Sequence, residues 1–194
     1  MRKNIALYGI GISVTLLLFL TACSSAPQEE IDAARAAVLE AAEQGADDYA
    51  PEELDQLQRD LDAAVEAVEE EEGSVFSNYE DARSLLAEVT SRAEQLKDSM
   101  PTRVEEAKQS AMAAIDAAKA SIEDARQTLN LAPRGKASNA EIKAMTSTLE
   151  GLENSLPEIQ EKFDSGAYLE VSEMAAGVER EASGIAEDIR QAVD

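Results

Sequence analysis

From residue 31 onward, apolar side chains recur every three or four positions, the spacing of one face of an α-helix. Ile31, Ala34, Val38 and Ala41 form the first such face, and Gly45 supplies its stop. Pro51 opens a second helix, where its missing N–H costs nothing, with Glu52 and Glu53 favourable at the positive helix end. Leu54, Leu57, Leu61, Ala64 and Val68 follow as a coiled-coil-like seam, fraying through Glu69–Glu72 before Gly73 and Ser74. Asn78 is placed to cap a third helix carrying Ala82, Leu85, Val89, Ala93, Leu96 and Met100. Pro101 and the Thr102-x-x-Glu105 capping pattern then predict a fourth helix, bearing Val104, Ala111, Ile115, Ala118, Ile122, Ala125 and Leu129. Pro133-Arg134-Gly135 reads as a loop. Ile142, Met145, Leu149, Leu152 and Leu156 repeat the seam, with Pro157 predicting a kink or break. Gly166 separates a last helix bearing Val171, Ala175, Val178, Ala182, Ile185 and Ile189. No window alternates apolar and polar residues long enough to make a strand.

The two halves correspond. Ile31-Asp32-Ala33-Ala34-Arg35-Ala36 matches Ile115-Asp116-Ala117-Ala118-Lys119-Ala120 at an offset of 84. Glu53, Leu54, Leu57 and Leu61 meet Glu141, Ile142, Met145 and Leu149 at 88. Tyr79, Ala87, Val89, Ala93 and Leu96 meet Tyr168, Ala176, Val178, Ala182 and Ile185 at 89. Each half also sets a Phe shortly before its Tyr, Phe76 and Phe163. The preserved order points to duplication. The expected fold is all-α: an antiparallel helical bundle built from two similar three-helix units with coiled-coil-like seams, residues 31–100 and a divergent copy at 101–194. The six helices either share one bundle or form two bundles strung along a shared long helix; a 30-residue helix would span about 45 Å.

Composition narrows the chemistry. Lys+Arg number 17 against 40 Asp+Glu, a formal net charge of −23, with no His and a single Cys. That inventory excludes Ser-His-Asp and Cys-His catalysis, imidazole-bound zinc and an internal disulfide. Binding nucleic acid would require Lys and Arg to replace phosphate counterions, so that partner is not expected. The acidity itself fits a solvated surface in a salty or alkaline habitat.

Before residue 31 the pattern changes. Arg2 and Lys3 precede an uncharged apolar run from Ile5 to Leu20, followed by Thr21, Ala22, Cys23 and the polar Ser24 and Ser25. Positive start, apolar middle and small-residue exit make a secretory signal, and the run is short of the roughly 20 residues a spanning helix needs. Leu20-Thr21-Ala22-Cys23 resembles a bacterial lipobox. That resemblance implies removal of residues 1–22 and acylation of Cys23, with residues 23–30 as the acylated Cys and its tether. It also implies a membrane partner through the lipid and a place in the bacterial cell envelope. Ser24, rather than Asp, after the Cys resembles the outer-membrane, periplasm-facing pattern. Two or three acyl chains would hold the protein firmly, at about 0.8 kcal/mol per buried methylene.

Ala46-Asp47-Asp48-Tyr49-Ala50-Pro51-Glu52-Glu53-Leu54, continuing to Leu61-Asp62-Ala63-Ala64, with Asn78-Tyr79-Glu80-Asp81-Ala82, resembles domain-of-unknown-function family 4398 over roughly residues 30–100. The resemblance implies a short helical domain on an envelope lipoprotein, and no reaction. The second half keeps Tyr168 but lacks the Tyr-Ala-Pro signature.

The remaining candidates are few. Tyr49 is expected to staple the start of the second helix, with recognition as its rival role. Phe76 with Tyr79, and Phe163 with Tyr168, are expected to pack at helix corners, with an apolar ligand pocket as the alternative. Asp47-Asp48 and Glu69–Glu72 lack the spacing of a calcium loop, so no metal site is expected. No carboxylate pair stands out as a glycosidase site, and no catalytic residue or cofactor is expected. The favoured reading is a non-enzymatic, lipid-anchored scaffold that meets another envelope protein or itself. The alternative is an extracytoplasmic module holding a small apolar or cationic ligand between helical units.

Overall fold

The computed structural model describes residues 25–72, 74, 75, 77–131 and 139–193. Helix α1 (Gln28–Ala41) runs into a single π-turn at Ala42–Ala46 and a short turn of helix, α2 (Asp47–Tyr49). Helices α3 (Pro51–Glu72), α4 (Glu80–Leu131), α5 (Asn139–Asp164) and α6 (Tyr168–Val193) complete the chain. No strand occurs among the described residues, and the architecture is an all-α helical bundle.

Two compact units divide between Met100 and Pro101. In the first, α1, α3 and the start of α4 enclose a core of Ile31, Val38, Leu54, Leu57, Leu86 and Val89, with alanines such as Ala34, Ala41, Ala64 and Ala93 at the helix contacts. These alanines let the axes approach closely. Interhelical pairs give the directions. Glu30 meets Arg83 and Glu40 meets Lys97, so α1 and α4 run parallel here, with α3 returning between them. In the second unit, the rest of α4 with α5 and α6 encloses Ile115, Ile122, Leu149, Ile159, Val171 and Val178. Ser121 meets Ser183 and Asp124 meets Arg190, so α4 and α6 run parallel in the same way.

The correspondence between the halves extends to burial. Ile31, Ala34, Val38 and Ala41 are buried, as are Ile115, Ala118, Ile122 and Ala125 at the offset of 84. Ala82, Leu86, Val89, Ala93, Leu96 and Met100 are buried, as are Val171, Ala175, Val178, Ala182, Ile185 and Ile189 at 89. One position differs from the seam expected from sequence: Leu86 is fully buried and Leu85 is 42% exposed. Adjacent leucines satisfy either a three- or a four-residue step from Ala82, so only packing decides between them.

Two features differ from the sequence reading. Pro101 does not begin a helix, because α4 passes through it, and Pro157 lies inside α5. Both prolines are exposed, so the carbonyl each strips of its donor lies on the solvent side, where water can replace the lost bond. Ser99 and Ser155, each two residues before a proline, donate their hydroxyls to the carbonyls of Leu96 and Leu152 at 2.7 Å. Gly45, by contrast, supplies the expected stop: it adopts φ 93°, a left-handed conformation costly for residues with a Cβ, and the helical path kinks there. The second concerns the expected tether. Over its described part, residues 25–30, it is packed rather than loose: α1 begins at Gln28 and Pro27 is fully buried. The loop at Pro133-Arg134-Gly135 lies outside the described residues.

Candidate functional site

The sequence candidates fall in separate places. Leu20, Thr21, Ala22, Cys23 and Phe76 lie outside the described residues. Tyr49 is half-buried against the first core, with its ring over Gly45: a β-carbon there would lie 3.4 Å from Tyr49 Cδ2. Tyr79 is almost fully buried in that core, at the start of α4. Phe163 and Tyr168 pack as a tilted pair at the α5–α6 corner, ring centroids 5.3 Å apart. The turn beneath them is a Schellman motif. Gly166 has φ 91° and donates to the Phe163 carbonyl at 3.1 Å, while Ala167 donates to the Lys162 carbonyl at 3.0 Å. Lys162 then bridges the corner to Glu170 at 2.7 Å. Tyr79 and the Phe163–Tyr168 pair therefore pack within separate units.

Shallow grooves flank these elements. One of about 160 Å³ lies between α3 and α4, bordered by Asp60, Ala63, Leu85, Glu88, Val89 and Arg92. Another of about 150 Å³ runs along Met112, Ile115, Asp116, Lys119, Gln160 and Phe163. A third, about 310 Å³, lies between Arg126 and Glu150 on facing helices. Ligand sites for drug-sized molecules are usually enclosed clefts of about 300–1,000 Å³ with converging polar groups. Here no polar or charged side chain among the described residues is buried. No group of three or more His, Cys, Asp or Glu among them is placed to hold a metal. Asp47, Asp48, Glu69, Glu70 and Glu72 are exposed, and Glu71 is partly buried. No helix among them is long and apolar enough to cross a membrane.

The charged groups act between helices. Residues 25–100 hold 22 acids and 5 bases, and residues 101–194 hold 18 acids and 10 bases. Among residues 25–100 every base is engaged, across helices for Arg83 with Glu30, Arg92 with Asp60 and Lys97 with Glu40, and within a helix for Arg35 with Asp32 and Arg59 with Gln56. Partial burial pushes the Asp60 carboxyl up. Hydrogen bonds from Gln56 and Arg92, with the charges of Arg92 and Arg59, outweigh it and hold the group below its usual range. The hydrogen bond to Glu40, then its charge, raises Lys97 above the ordinary lysine value. Glu170 does the same for Lys162, against a smaller opposing desolvation.

One constellation escaped the sequence reading. The Arg83 guanidinium donates from Nη2 to the Ser25 carbonyl and from Nε to Glu30, both at 3.0 Å, clamping the segment before α1 onto the first turn of α4. Ala26 packs on the core beside the buried Pro27. Fifty-eight residues separate Arg83 from Ser25, so no local spacing could have revealed the contact. Comparison with family models, curated proteins and solved structures gives no match.

Proposed function

We propose that this chain is a lipid-anchored helical protein of the bacterial envelope, resembling the family 4398 lipoproteins, that acts as a structural or protein-interaction scaffold on the periplasmic side of the outer membrane. The observation that carries the reading is the junction at residues 20–27: the Leu-Thr-Ala-Cys motif ends two residues before Ser25, where the packed body begins. A chain cut before Cys23 loses the apolar segment and keeps every residue of both cores.

The body supports an attachment role. Its cores are aliphatic, three of the five bases among residues 25–100 are spent on interhelical bridges, and its outer faces are acidic. Such faces suit a partner bearing Lys and Arg, and in low salt they oppose self-association through like-charge repulsion. Catalysis is not part of the proposal.

Fractionation tests it. The wild-type chain should partition with membranes and the Cys23→Ser chain should keep its leader or leave the lipid phase. Envelope defects caused by deletion should be rescued by the wild-type copy and not by the Cys23→Ser copy. Equal partitioning and equal rescue by both would remove the proposal.

A further inference from the structure

The same junction decides which part of the body meets the lipid. Cys23 is two residues from Ser25, so the chain can place them no more than about 7 Å apart. Ser25 is not free to wander, because Arg83 holds its carbonyl and Pro27 and Ala26 are packed behind it. An acyl chain on Cys23 is therefore coupled to one end of the first unit, the end where α1 and α4 both begin.

The turn joining α3 to α4 lies at that end. Ser77 donates its hydroxyl to the Glu71 carbonyl at 2.8 Å, and the Asn78 N–H donates to the Glu71 carboxylate at 2.8 Å, tying residues 77 and 78 to the last residues of α3. Asn78 accepts from the Glu80 N–H at 3.2 Å and caps α4 one turn before Arg83. Between α3 and α4, Val75 is 90% exposed, more than any other large apolar side chain described. An exposed β-branched apolar residue at the same end of the unit as Ser25 is placed to enter a lipid interface if Cys23 is acylated.

We propose that the first unit seats end-on upon the membrane, with the α3–α4 turn as a second contact and Val75 inserted at the headgroup level. The inference rests on the lipid-anchor reading. Glu69, Glu70 and Glu72 are exposed at the same end, so the surface that fits is zwitterionic rather than anionic.

The full-length lipidated protein provides the test. Its single Cys is consumed by the thioether, so a cysteine introduced by Val75→Cys takes an environment-sensitive fluorophore alone. Glu43→Cys, exposed beyond the far end of α1, is the comparison. In phosphatidylcholine–phosphatidylethanolamine vesicles, the label at 75 should shift to the blue and be quenched by shallow spin-labelled lipid, several-fold more than the label at 43. Arg83→Ala, which frees Ser25 and Glu30 without opening the core, should narrow that difference. Intact mass is measured on each sample. Equal quenching at the two positions on a protein that carries lipid would overturn the seating and leave the anchor intact. An unchanged difference in Arg83→Ala would overturn the role of the clamp. A protein without lipid would sink the anchor reading and this inference with it.

Discussion

Leu85 and Leu86 are neighbours of one residue type on one helix, yet the structure assigns them opposite environments. Leu86 is 0% exposed and belongs to the first core, whereas Leu85 is 42% exposed at the edge of an open groove. Leu86→Ala removes three buried carbons, a transfer loss of about 2.4 kcal/mol at about 0.8 kcal/mol each. The cavity left in a closely packed core brings the total to about 3–4 kcal/mol. Leu85→Ala gives up only part of that transfer energy and leaves no enclosed cavity, so its cost is about 1 kcal/mol. Hydrogen exchange of the full chain, read on peptides from α1, α3 and α4 before Met100, reports the opening free energy of the first unit itself. Leu86→Ala should lower protection there by roughly two to three orders of magnitude, and Leu85→Ala by about one at most. Equal losses, or a larger loss at Leu85, would mean that α4 is rotated by one residue and the first core is wrongly composed.

Other expectations are briefer. Gly151 sits exposed inside α5 with open space around its α-carbon, so Gly151→Ala should stabilise the second unit by about 1 kcal/mol. Gly166 has φ 91°, so Gly166→Ala should destabilise it by about 1 kcal/mol or more; urea unfolding of both variants checks the sign. The melting temperature should rise with sodium chloride up to about 0.2 M as the Debye length contracts toward 8 Å, more for the first unit than the second, and a flat series would contradict this. Asp60 is held below its ordinary 3.8, so its stabilisation is present above that pH and lost as pH falls through the lower folded value. The stability gap between wild type and Asp60→Asn should therefore be constant from about pH 5 upward and close under acid. Lys97 is held above its ordinary 10.5, so the gap to Lys97→Gln should close only as pH rises beyond that value.

Much of this fold is legible from spacing alone, because aliphatic residues at three- and four-residue steps have few other ways to be buried. Ile31, Ala34, Val38 and Ala41 and their counterparts at Ile115, Ala118, Ile122 and Ala125 follow the pattern to the residue. The departures share a cause. Pro101 followed by Thr102 and Glu105 has the chemistry of a helix start, but an exposed proline removes one backbone bond and water restores it, so packing on both sides carries α4 through. Leu85 and Leu86 are chemically equal, and only the third dimension ranks them. The clamp of Arg83 on Ser25 joins residues far apart in the chain, which no local pattern encodes. The Phe163–Tyr168 corner pair is legible in the sequence, whereas Tyr79, expected at a corner, lies in the first core, and that placement required the structure.

The account stands on attachment through Cys23, and the most direct measurement is the mass of the N-terminal tryptic peptide from protein purified out of its native membrane. The predicted species begins at Cys23, ends at Arg35 and carries a diacylglycerol thioether, with or without an acylated amine. A peptide that runs from Asn4 to Arg35, the tryptic product of an uncut leader, or one that begins at Cys23 with a free thiol, would contradict it.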